Sequence, residues 1–137
     1  MRYLAIDPGQ KRSGLALGDD VTGIVTPVKS ITAKNEQQWL KQVANAIQEY
    51  QPAALVVGLP LNMDGSEGPA ATRSKALAAK LNETTGLDVY LFDERLSSFE
   101  ADREMANSGL SRSQKQLRRD ALAASVILRD FFASRST

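Results

Sequence analysis

Three separated carboxylate positions carry the chemistry that this sequence can do. Asp7 follows the apolar run Tyr3–Ile6 and precedes Pro8, Gly9, Lys11, Arg12 and Gly14. A carboxylate at the carboxyl end of a strand in an α/β sheet borders the crevice where ligands bind. Gly9 and Gly14 permit close approach of backbone and substrate, and Lys11 and Arg12 bring phosphate-binding charge. Asp93-Glu94-Arg95 repeats the arrangement after the run Val89–Phe92. Asp120 shares a helical face with Ala124, Ile127 and Phe131, so an ionised group lies along a stripe that should be buried. It therefore needs a cation, a metal ion or the solvent edge of the stripe. Taken singly, these are an Asp-Pro-Gly turn, charge at a strand end and a salt bridge to a nearby Arg. Taken together, they are carboxylates placed to reach one crevice. Two divalent ions about 3.5–4 Å apart between such groups would activate water and stabilise the leaving oxygen of a phosphodiester.

Composition narrows the chemistry further. The chain has 137 residues, no Cys and no His. It therefore has no disulfide, thiolate nucleophile, imidazole proton shuttle or ordinary zinc or haem site. What is left is carboxylates, Lys, Arg, hydroxyls, backbone amides and hard metals held by oxygen, such as magnesium, calcium or manganese. Net charge is +1, but residues 1–12 carry +2, residues 111–137 carry +4 and the stretch between carries −5. Basic ends place cations where a polyanion could be held.

The elements that must position these residues follow from periodicity and breakers. Strands are predicted at Tyr3–Ile6, Ser13–Leu17 and Ile24–Ile31, an antiparallel meander. Asn35 caps a helix to about Tyr50 with an apolar stripe at Leu40, Val43, Ala44 and Ile47, stopped by Pro52. Ala53–Gly58 reads as a doubly buried strand. The long connection Leu59–Pro69 that follows is either functional or a disordered tip. A helix over about residues 70–84 closes at Gly86 and leads to a strand at Val89–Phe92. The capping patterns Ser97-x-x-Glu100 and Ser111-x-x-Gln114 open helices near Phe99–Asn107 and Arg112–Ala133. The order implies one α/β domain over residues 1–137, a mixed five-stranded sheet flanked by helices. The N-terminus shows no signal-peptide pattern, and the longest apolar stretch is far short of the roughly 20 residues of a membrane span. A soluble cytoplasmic protein with no membrane partner is the expectation.

Four blocks also resemble the signature motifs of the YqgF family, the RuvX-type Holliday junction resolvases. They are Ile6-Asp7-Pro8-Gly9-Gln10-Lys11-Arg12-Ser13-Gly14, Val57-Gly58-Leu59-Pro60-Leu61-Asn62-Met63-Asp64-Gly65-Ser66, Asp93-Glu94-Arg95-Leu96-Ser97-Ser98 and Arg119-Asp120-Ala121-Leu122-Ala123-Ala124. The resemblance implies an RNase H-like fold and a nuclease dependent on Mg2+ or Mn2+. The family is associated with maturation of the 5′ end of the small-subunit ribosomal RNA precursor and, by analogy, with resolution of branched DNA. It also implies that Asp7, Glu94 and Asp120 are the catalytic metal ligands. Lys11, Arg12, Asn62, Arg95, Arg118 and Arg119 are the expected contacts to nucleic acid. The fourth strand has no acid in Val56-Val57-Gly58-Leu59, so Asp93 or Asp64 stands as the alternative second ligand. Ser13 occupies a position that is usually apolar in the family's first hairpin.

Two further readings stay open. One is a non-catalytic nucleic-acid or ribosome-assembly module on the same scaffold, since fold does not dictate function. The other is an actin-like ATPase, which Asp-x-Gly before a hairpin also resembles, although 137 residues leave no room for its second lobe. Structured RNA or branched DNA is the expected partner, with ribosomal precursor particles as a larger target. The protein itself would be a monomer or a homodimer.

Overall fold

The computed structural model describes residues 1–93 and 111–135, with no side-chain description for residues 112–117. Glu94, Arg95 and the helix expected near Phe99–Asn107 lie outside the described residues. In chain order the elements are β1 (Arg2–Pro8), β2 (Arg12–Asp19), β3 (Val25–Thr32), α1 (Glu36–Tyr50), β4 (Ala54–Leu59), α2 (Pro69–Thr85), β5 (Asp88–Asp93) and α3 (Arg112–Arg135). They form a five-stranded sheet in the order β3-β2-β1-β4-β5. β1 pairs antiparallel with β2, and β2 with β3, whereas β1, β4 and β5 run parallel. The carboxyl ends of the three parallel strands therefore reach one edge of the sheet. The register shifts between Leu15 and Ala16 where β2 meets β3.

Strand alternation divides the core between two faces. Leu4, Ile6, Leu15, Leu55 and Val57 pack under α1 and α2 with Trp39, Val43, Ala46, Leu77, Ala78 and Leu81. Tyr3, Ala5, Ala16, Ala54 and Val56 pack under α3 with Ala124, Ile127, Leu128 and Phe131. The α3 residues are the ones whose spacing from Asp120 defines the expected stripe. Tyr3, Tyr90, Phe92, Phe131 and Phe132 add ring contacts with centroids 5.4–6.3 Å apart.

Helix α1 begins as its sequence predicts: the Asn35 side chain accepts the Gln38 N–H at 2.8 Å, and Gln38 Oε1 accepts the Lys34 N–H at 2.8 Å. Its inner seam keeps Leu40, Val43 and Ile47 of the expected stripe against the core and adds Trp39 and Ala46 in place of Ala44. Trp39, Val43 and Ala46 are buried, whereas Ala44 is exposed. The reason is Ser13: the Trp39 indole N–H donates to Ser13 Oγ at 2.8 Å inside the protein. A polar residue in β2 thus lets α1 present its largest side chain to the sheet. Ser13→Ala leaves that N–H without its partner, and a buried donor stripped of its acceptor costs about 1–3 kcal/mol. Chemical denaturation should show a loss of that size, and an unchanged midpoint would contradict the account.

The connection between β4 and α2 is a hydrogen-bonded turn, not a disordered tip. The Asn62 N–H donates to the Ser66 carbonyl and the Gly65 N–H to the Asn62 carbonyl. Asp64 Oδ1 accepts from the Ser66 N–H and hydroxyl at 2.9 and 2.6 Å. Gly65 takes the positive φ of 86° that closes the turn.

Candidate active site

The register of β1, β2 and β3 sets out the site. Asp7 follows Tyr3 and Ala5 at even spacing and so lies on the α3 face, half-buried. Its partner across β2 is Gly14, and Gly14 is in turn paired with Ser30 of β3. Asp7, Gly14 and Ser30 therefore form a row at the carboxyl end of β1, with Arg12 two residues from Gly14 on the same face.

Helix α3 meets that row through backbone. A Cβ on Gly14 would lie 1.7 Å from the Asp120 carbonyl oxygen and 2.9 Å from the Ala121 nitrogen. Only the absence of a side chain at Gly14 allows the helix to rest there. Sequence reasoning gave Gly14 the close approach of backbone and substrate; the group that approaches in the structure is the backbone of α3. Because paired Cα atoms in an antiparallel ladder are about 4.5–5.5 Å apart, Asp7 stands one strand spacing from Gly14, the residue on which the backbone of Asp120 rests.

Asp120 has the cation its burial demanded. Arg12 Nε donates to Asp120 Oδ2 at 3.0 Å, and Ser30 Oγ donates to the same oxygen at 2.9 Å. The Asp120 side chain is 19% exposed and that of Arg12 36%. Two donors on one oxygen fix the carboxylate's orientation and leave Oδ1 without a protein donor among the described residues. Ser30 is a site residue that sequence reasoning missed; only its register opposite Gly14 marks it.

The other expected residues fall at different places in the fold. Continuing the β1–β4 register by one residue brings Gly58 level with Asp7, and Gly58 is paired with Phe92. Gly58 adds no side chain between Asp7 and Phe92. Asp93 shares its face with Val89 and Leu91, the face opposite Asp7. Asp64 is engaged within its turn, and Asn62 Nδ2 donates to Ser66 Oγ at 3.0 Å in that same turn. Arg118 and Arg119 are exposed on the first half of α3, and Lys11 is exposed on the β1–β2 turn. Glu94 and Arg95 lie beyond the described residues.

The donors suit a hard divalent cation: Asp7 and Asp120 offer only oxygen, with no soft ligand nearby. Among the described residues no group of three or more acidic side chains is close enough to hold a metal, so a third carboxylate would have to come from outside them. No helix among the described residues is long and apolar enough to cross a membrane.

Comparison with known proteins gives the chain's relatives. A family model described as "RuvX: Holliday junction resolvase" matches residues 1–134. A protein of Anaeromyxobacter sp. (strain Fw109-5) named "Putative pre-16S rRNA nuclease" is 44% identical over 135 residues, 98% of each chain. Two solved structures superpose along the whole chain. T. thermophilus RuvC in complex with Holliday junction substrate gives a TM-score of 0.60 at 14% identity, covering 98% of this chain and 95% of that one. Fowlpox virus resolvase with substrate Holliday junction DNA gives 0.63 at 13% identity, covering all of both. At such identities the likeness establishes the fold, which is RNase H-like. With residues 1–134 matched by one family model and a 44%-identical relative aligned over 98% of each chain, this chain belongs to the RuvX family.

Proposed function

We propose that the protein is a metal-dependent nuclease that hydrolyses phosphodiester bonds of structured nucleic acid, with the 5′ leader of pre-16S rRNA as its substrate in the cytoplasm. The observation that supports this reading is the placement of Asp7 across the ladder from Gly14, the residue on which the backbone of Asp120 rests. The choice of RNA follows the name borne by the 44%-identical relative.

Magnesium or manganese ions, held by Asp7 and Asp120 with Glu94 as third carboxylate, would polarise the phosphoryl oxygens and activate a water. The chain's own residues do the rest. Arg12 and Ser30 hold Asp120 in one orientation, so its carboxylate needs little reorganisation when substrate arrives. Arg95, Arg118 and Arg119 neutralise flanking phosphates, which would make binding fall steeply with salt. With no His in the chain, proton transfer has no imidazole to use.

A second reading, resolution of four-way DNA junctions, is favoured by the description of the matching family model. One assay separates the two. The protein is incubated with a pre-16S leader transcript and with a four-way junction, with magnesium, with manganese or with EDTA. Cleavage of the leader that EDTA abolishes is expected. Metal-dependent cutting of the junction alone would transfer the assignment to DNA, and salt-sensitive binding without cleavage of either would make the protein a non-catalytic assembly factor.

A further inference from the structure

The β1–β2 turn borders a second feature on the opposite side of the sheet. A cavity of about 180 Å³ is formed by Gly9 and Lys11 of the turn, Lys34 before α1, Trp39 of α1, and Arg73 and Leu77 of α2. Its floor is apolar, since Trp39 and Leu77 belong to the core under α1 and α2. Its rim is cationic. Lys11, Lys34 and Arg73 are exposed, and none of them forms an ion pair among the described residues. Glu36 also borders the cavity, but it is bonded to Lys80.

Three uncompensated cations around one concavity focus a positive potential and concentrate anions there. The volume decides the size of the anion, because pockets that enclose drug-sized ligands run to about 300–1,000 Å³. This one suits a single phosphate with part of its nucleoside. The buried Trp39 indole has already given its N–H to Ser13, so the floor contributes shape and the rim contributes binding.

We infer that this cavity is a phosphate subsite that receives a phosphate group of a nucleic-acid strand on the sheet face opposite Asp7 and Asp120. Asp7 and Gly9 are two residues apart, about 7 Å of extended chain, so a strand held at Asp7 reaches the cavity by crossing the turn. The source of the phosphate rests on the proposed nuclease function; the site itself does not.

Trp39 is the chain's single Trp and reports occupancy by its fluorescence. The full chain in EDTA is titrated with a 5′-phosphorylated oligoribonucleotide, with its 5′-hydroxyl counterpart and with inorganic phosphate. Oligonucleotide should change the emission and phosphate should compete with it. Lys34→Glu and Arg73→Glu should each weaken binding by roughly tenfold or more, and Lys41→Glu, exposed on α1 away from the cavity, by less than about twofold. Preference for the phosphorylated strand assigns the subsite to a strand end, and equal affinity assigns it to an internal phosphodiester; both support the inference. Equal weakening by Lys41→Glu, or wild-type affinity in both cavity variants, overturns it. Cleavage is measured separately with metal, so a chain that binds here but cuts nothing overturns the nuclease reading and leaves the subsite standing.

Discussion

Gly14→Ala should lower the melting temperature by roughly 10 °C and remove most activity even where the protein stays folded. The methyl group would have to occupy space 1.7 Å from the Asp120 carbonyl oxygen and 2.2 Å from its carbon. Those atoms are helix backbone, so no rotamer change relieves the overlap; α3 must lift from β2. Overpacking typically costs about 1–3 kcal/mol, and a rigid backbone neighbour places this case at the upper end. At about 2–4 °C per kcal/mol for chains slightly longer than this one, the estimated shift follows. Gly18 provides the comparison. There an added Cβ meets Leu128 Cδ2 at 2.8 Å, Val25 Cγ2 at 3.0 Å and Phe132 Cε2 at 3.1 Å, all side-chain atoms that can turn aside. Gly18→Ala should therefore destabilise less. Thermal melts by circular dichroism rank the two, and equal melting temperatures would mean that the helix does not bear on Gly14.

Asp7→Asn should have the opposite profile, with activity lost and stability kept. The substitution preserves size and changes one oxygen into an amide, which is a poor ligand for a hard cation beside Asp120. If Asp7 supplies several kcal/mol of transition-state stabilisation through the ions, at 1.36 kcal/mol per decade the rate falls by roughly 10²–10³-fold or more. The melting temperature should hold to within a few degrees, because the amide has the volume of the carboxylate and leaves the packing around it unchanged. Single-turnover cleavage of the leader transcript with manganese measures the first effect and a thermal melt the second. Wild-type cleavage by Asp7→Asn would remove Asp7 from the mechanism. A fall in both stability and rate would make it a structural residue of the turn.

The elements were legible because breakers and periodicity agree with the topology. Asn35 does cap α1, and Gly86, at φ 72°, does close α2. The spacing Asp120, Ala124, Ile127, Phe131 does define the face of α3 on the sheet. Strand ends were off by one or two residues, since pairing with a neighbour, not local composition, sets where a strand stops. What stayed hidden depends on contacts between distant segments. Nothing near Arg12 in sequence indicates that it turns inward to Asp120, 108 positions away. Ser30 looks like any polar residue on an outer strand until register places it opposite Gly14. Ser13 was legible only as an anomaly, and its explanation required the helix that brings Trp39 over it. Lys11 was grouped with Arg12 by adjacency, yet it borders the cavity on the side of the sheet away from Asp120.

The shifted pairing between β2 and β3 also governs how copies of the protein can meet. β3 is the outer strand on that side of the sheet, and an outer strand normally offers unused N–H and C=O groups to any passing strand. Here Pro27 has no N–H to offer, the irregular register beside it spoils a straight ladder, and Lys29 adds charge. Prolonging the sheet at β3 by backbone pairing with a second molecule is therefore disfavoured at Pro27 and at the shift beside it.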